Sequence, residues 1–97
     1  MKLNITRKRT DNDVLSLKFS GEMTVYSAAK VKDILIKELK SCSGIIMDLA
    51  EVDEADTAGF QLLLFLKREA GIMGKSFSIT GLSGRFKSIL TLYRETI

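Results

Sequence analysis

The residues of this chain best able to do chemistry gather in one stretch. Glu51, Asp53, Glu54 and Asp56 put four carboxylates into six residues, and Thr57, Ala58 and Gly59 follow at once. Such a run can serve metal binding, carboxylate acid/base chemistry or recognition at a helix start. The chain has no histidine, which removes most zinc sites and every Ser-His or Cys-His nucleophile. No nucleophile–base pair is visible elsewhere. No catalytic residue, metal ligand or cofactor is therefore expected, and recognition is left. Asp56 and Thr57 each carry an oxygen that can accept a free helical N–H, so either can be the N-cap. No Glu or Gln stands three residues after either, so a full capping box is missing. Ala58 and Gly59 are small enough to let the backbone approach another surface closely. The plainest reading is a cap and nothing more, with Ala58 and Gly59 against a sheet.

The elements around this turn follow from periodicity. Leu3 and Ile5 alternate with Lys2, Asn4 and Thr6, and Leu15, Leu17 and Phe19 with Ser16 and Lys18. These are two half-buried strands, joined as a hairpin through Thr10-Asp11-Asn12-Asp13. Gly21-Glu22-Met23-Thr24 leads into a helix on which Val31, Ile34, Leu35 and Leu39 share one face, with Ser27 or Thr24 as its cap. Ile45-Ile46-Met47 reads as a central strand covered on more than one side, ending in Asp48-Leu49. The acids at 51–56 form a loop in this reading. A strongly apolar helix runs from about Thr57 to Gly71, with Gly71 and Gly74 bracketing its exit. Phe77 and Ile79 mark a last strand, and Phe86, Ile89, Leu90 and Tyr93 a last helix, soon after which the chain is expected to end. Helical crossovers imply parallel, right-handed connections to the third and fourth strands. The expected fold is α/β, a single domain over 1–97. It has a mixed four-stranded sheet, about three helices mainly on one face and a polar opposite face.

A loop at the carboxyl end of a parallel strand is a usual binding position in such folds. Gly59, Leu62, Leu63, Leu66 and Ala70 can form one core stripe of the second helix. Thr57, Gln61, Leu64 and Arg68 then share another, and Phe60, Leu64 and Phe65 fall at or beyond the core stripe's edge. An apolar group beside a polar cap suits a docking patch; the alternative is that neighbouring helices cover those three. The partner-binding set is Asp53, Asp56, Thr57, Ala58, Gly59, Phe60, Gln61, Leu64 and Arg68.

Composition narrows the class of partner. The 97 residues suit one domain, and 45% are hydrophobic, too many for a disordered chain. The lone cysteine, Cys42, read as a loop or strand-edge residue, excludes a disulfide framework. Neither a signal peptide nor a membrane span is expected, so a cytoplasmic location is the default. The net charge of +3 is mild. Lys2, Arg7, Lys8 and Arg9 make the first strand basic, but the central acids and the lack of an aromatic on the polar sheet face argue against nucleic acid.

The chain resembles a STAS domain, the fold of bacterial anti-sigma-factor antagonists. The matching pieces are Gly21-Glu22-Met23-Thr24, Ile45-Ile46-Met47-Asp48-Leu49, Asp53, Asp56-Thr57-Ala58-Gly59 and Gly74-Lys75, spread over nearly the whole chain. The resemblance implies a partner-switching regulator whose phosphoacceptor, by position, is Thr57. It implies a protein partner that is an anti-sigma factor and serine kinase, bound by the unphosphorylated form. Ala58 departs from the antagonists, which often have a second serine there. Asp-Thr-Ala-Gly with Gly-Glu-Met-Thr-Val-Tyr is also similar to STAS proteins linked to chemotaxis or to lipid-transport ABC complexes. That similarity implies a non-phosphorylated scaffold bound to an ABC-type ATPase. A phosphate on Thr57 would add about −1.5 to −2 charges at a helix N-terminus, worth ~0.3–1 kcal/mol. Each like charge at ~5 Å would cost roughly 1–3 kcal/mol, so repulsion from Asp53, Glu54 and Asp56 is expected to win.

Overall fold

Alternation of apolar and polar residues builds the sheet. The computed structural model describes residues 3–93. The strands are β1 (Leu3–Arg9), β2 (Val14–Met23), β3 (Gly44–Ala55) and β4 (Ser76–Leu82). The helices are α1 (Val25–Ser41), α2 (Thr57–Ile72) and α3 (Gly84–Tyr93). The sheet order is β1-β2-β3-β4. β1 pairs antiparallel with β2 through the expected hairpin, while β2–β3 and β3–β4 are parallel. Asp13, at φ 62°, supplies the left-handed residue of the hairpin turn. Lys2 and residues 94–97 lie outside the described residues, as do the side chains of Leu90 and Tyr93 assigned above to the last helix.

One face of the sheet carries the core. Leu15, Leu17 and Phe19 of β2 and Ile45, Met47 and Leu49 of β3 are buried, with Phe77 and Ile79 of β4 half-buried against them. Ala28, Val31, Leu35 and Leu39 of α1, Leu62, Leu63, Leu66 and Ala70 of α2, and Phe86 of α3 complete the cluster. The other face presents Ser16, Lys18, Asp48, Ala50, Ser78 and Thr80. Ile46 is only half-buried there, in register with Ser16 and Ser78. β3 is thus covered on one side, not on several, because all three helices contribute to the same core. The Cα radius of gyration is 12.5 Å, as expected for one compact domain of this length.

Two further expectations are corrected. Ile34 does not join α1's core face and is 50% exposed. Ala28 takes its place in the stripe, at three residues before Val31. Cys42 is neither a loop nor a strand-edge residue: it is the C-cap of α1, 2% exposed, with its Sγ 3.2 Å from the Gly44 carbonyl.

Candidate functional site

The site is built where two helices begin. Met23 ends β2 and Thr24 caps α1. The Thr24 N–H donates to Ser27 Oγ (2.9 Å), whose hydroxyl donates to the Glu22 carbonyl (2.8 Å). Both cap candidates of α1 are therefore used, Thr24 as N-cap and Ser27 as its reciprocal partner. Asp56 is the N-cap of α2, and Thr57 is the first helical residue. One carboxylate oxygen of Asp56 accepts the Gly59 N–H (3.1 Å), and the other accepts the Val25 N–H at the start of α1 (3.0 Å). A single carboxylate thus satisfies orphan donors of both helices and faces the positive ends of both dipoles.

Gly59 serves the same junction. A Cβ there would lie 2.4 Å from the Met23 carbonyl oxygen, so only glycine lets the first turn of α2 sit on the end of β2. Asp56 and Gly59 therefore hold the turn together. Thr57 is exposed, and Ala58 is half-buried beside it.

The acidic stretch is not a loop. β3 continues to Ala55, and the acids stand on a strand paired with Ser20–Met23 of β2. Register shifts between Lys18 and Ser20 and between Gly21 and Glu22 let the pair run on after Asp48. The four carboxylates are accordingly dispersed. Glu51 bonds Lys18 (2.6 Å) on the polar face, and this hydrogen bond, then the Glu51 charge, raises the Lys18 pKa above the ordinary lysine value. Glu54 pairs with Arg85 of α3 (3.1 Å). Asp56 is spent on the caps. Asp53 is exposed and has no ion pair among the described residues. The expectation that Asp53, Glu54 and Asp56 act as three bare charges on Thr57 is corrected: Glu54 is partly neutralised, and Asp56 sits against helix donors.

Along α2, Gly59, Leu62, Leu63, Leu66 and Ala70 are buried as expected. Phe60 is buried too, 3% exposed, and is removed from the docking surface. The cause is that α2 contacts α1, α3, β3 and β4, so its apolar arc is wider than a helix covered on one side requires. Leu64 and Phe65 are half-buried; Gln61 and Arg68 are exposed.

α1 contributes residues that the sequence reading missed. A groove of about 420 Å³ runs between the helices, lined by Val25, Ala29 and Lys32 on α1 and by Ala58, Gln61 and Phe65 on α2, among others. Lys32 Nζ stands 4.3 Å above the Phe65 ring, a cation–π contact. Val25 is 54% exposed at the end nearest Asp56. The signal for Val25 and Ala29 was present as apolar positions beside α1's core stripe. The pairing of α1 with α2 is what gives them meaning. No group of three or more His, Cys, Asp or Glu side chains is placed to hold a metal among the described residues. No described helix is long and apolar enough to cross a membrane.

Comparison with known proteins bears on this geometry. Residues 6–95 match the family model described as Mlab, STAS domain. Among solved structures, an anti-sigma factor antagonist from Mycobacterium paratuberculosis is 16% identical, with a TM-score of 0.81 over 96% of this chain and 79% of that one. The phosphorylated form of the Bacillus cell fate determinant SpoIIAA is 12% identical, with a TM-score of 0.77 over 93% and 83%. A sulfate transporter family protein from Wolinella succinogenes is 18% identical, with a TM-score of 0.71 over 90% and 71%. At these identities the likeness is one of fold.

Proposed function

Because the chain belongs to the STAS domain family, we propose that it is a protein-interaction module that docks a partner on the surface where α1 and α2 begin. The module acts by partner switching, in the manner of the anti-sigma-factor antagonists whose fold it shares, and Thr57 is its regulatory hydroxyl. One observation carries the reading. Within Asp56-Thr57-Ala58-Gly59, Asp56 and Gly59 are committed to the junction, whereas Thr57 is exposed at its tip. Thr57 adjoins Ala58 and Gln61 of the α1–α2 groove, which offers apolar area for a partner. Asp53, Gln61, Leu64 and Arg68 remain with it as candidate contacts. The partner is a protein, an anti-sigma factor and serine kinase on this reading.

A phosphate on Thr57 would compete with Asp56 for the same helix donors. Its added charge would stand beside a carboxylate that already occupies them, and that would loosen the α1–α2 junction on which the partner rests. Phosphorylation therefore releases the partner. Pull-down from native lysate with the wild type and Thr57→Glu side by side tests this, together with intact-mass measurement of the native protein across growth conditions. The expected results are a kinase-like ATPase captured by wild type and lost with Thr57→Glu, and a mass increase of one phosphate in some condition. Unchanged capture by Thr57→Glu, with no such mass increase anywhere, would sink the switch.

A second reading is favoured by Ala58, which lacks a hydroxyl, and by the description of the matching family model. In it the same surface assembles constitutively, without phosphorylation, with an ABC-type ATPase or a chemotaxis complex. It predicts capture of a transporter ATPase by wild type and Thr57→Glu alike.

A further inference from the structure

The helix layer stops one strand short of the sheet. α1 packs on β2, and α2 and α3 pack on β3 and β4. β1 lies beyond them as an edge strand. The consequence shows in neighbouring side chains. Ile5 stands in register beside Phe19 of β2. Phe19 is fully buried, whereas Ile5 and Leu3, on the same face, are half-buried. Above them lies an open groove of about 710 Å³, walled by Leu3 and Ile5 of β1 and by Tyr26, Lys30, Val31 and Ile34 of α1, among others. Tyr26 is 73% exposed and Ile34 is 50% exposed. At one end Arg7 pairs with Glu38 of α1 and closes the gap. The rest is the place that a fourth helix of the layer would take.

The walls of this groove are apolar and its outer rim is basic. Lys30 and Lys37 are exposed and seven residues apart, so they share one line of α1, a turn to either side of Ile34. Neither has an ion pair among the described residues. Asp33, the one exposed acid of α1, lies further round the helix from β1 and offsets one of the two charges at most. A helix seated over Leu3 and Ile5 would meet the lysines with the edge of its apolar stripe nearest α1. That is the position from which flanking charges pair across two packed helices. Its apolar and its acidic contacts then fall on adjacent positions of one helix, on the same side of the sheet.

We propose that this groove is a second protein-binding site, which takes an amphipathic helix of a partner protein with two acidic residues seven apart along one edge of its apolar stripe. The span from Tyr26 to Lys37 is ~16 Å at 1.5 Å per residue, about three turns. The apolar stripe packs on Leu3, Ile5, Tyr26 and Ile34, and the acids meet Lys30 and Lys37. The same charges disfavour a second copy as occupant. The exposed charges of α2 and α3 are Lys67, Arg68, Arg85 and Lys87, all basic, and α1 itself would bring lysine against lysine.

The site is separate from the α1–α2 groove and does not rest on its assignment. The probe is a capped, fluorescein-labelled peptide of two successive Glu-Leu-Ala-Gln-Leu-Leu-Gln heptads, added to the full chain and read by anisotropy. Saturable binding is expected. Ile34→Asp, at a half-exposed position, should weaken it about tenfold or more. Joint Lys30→Glu and Lys37→Glu substitution should weaken this peptide and strengthen its counterpart with lysine for glutamate, with an unchanged far-UV circular dichroism spectrum. Replacing the peptide's alanines by α-aminoisobutyric acid, which a helix accommodates and a strand does not, should keep or tighten binding. Thr57→Glu should leave it unchanged. No saturation up to roughly 1 mM peptide would overturn the proposal. So would equal binding of a peptide of the same composition without an apolar stripe, loss of binding with α-aminoisobutyric acid, or self-association abolished by Ile34→Asp without peptide binding.

Discussion

Asp56 and Thr57 are neighbours of similar capping ability, and tertiary contacts divide their work. The Asp56 carboxylate joins the N-termini of α1 and α2, so its loss frees two donors at once. Asp56→Ala should lower the free energy of unfolding by about 1–3 kcal/mol, within the range of one strong cap to two ordinary ones. Gly59→Ala should cost a comparable ~1–3 kcal/mol through the clash with the Met23 carbonyl. Urea titration checks both, and a cost for Thr57→Ala as large as that of Asp56→Ala would contradict the division of roles. Cys42 makes a further test. Buried at α1's C-cap, its thiol should react with a disulfide reagent only as fast as the protein unfolds, since thiolate formation needs access and solvation.

At the scale of elements, the differences from expectation have one source. β3 runs on through the acids because β2 runs on beside it to Met23, with register shifts absorbing the mismatch. Periodicity within 51–56 does not announce a strand: Val52 is buried alone among exposed acids. Phe60 is buried for a similar reason, since α2 touches both other helices as well as the sheet. Phe60→Ala should therefore act as a core substitution, costing about 3–5 kcal/mol by urea unfolding. Gln61→Ala and Arg68→Ala should leave stability within about 0.5 kcal/mol. If partner capture is lost with the latter two in a fully folded protein, the exposed side of α2 is the contact.

For the whole molecule, one cluster of buried residues joins all three helices to the sheet. Helix and strand signals should therefore disappear in a single urea transition, with far-UV circular dichroism and amide resonances giving the same midpoint. The four described ion pairs are on exposed or partly exposed side chains, where such pairs add little. Raising salt should thus leave the thermal midpoint nearly unchanged.

The sequence by itself determined the order of elements, the hairpin, the parallel crossovers, the polar sheet face and the α2 core stripe. Each follows from a local period of two or of about 3.6 residues, or from a turn residue at its place. It also singled out the Asp56–Gly59 turn. Only the tertiary structure decided which of those four residues is exposed and which hold the junction, because capping of α1 by Asp56 and contact of Gly59 with Met23 join residues 31 and 36 positions apart. It alone moved Phe60 inward and Ile34 outward, because burial depends on which neighbours an element acquires and not on its own period. The strand character of the acids was decided in the same way, by main-chain bonds to β2 that no pattern within residues 51–56 encodes.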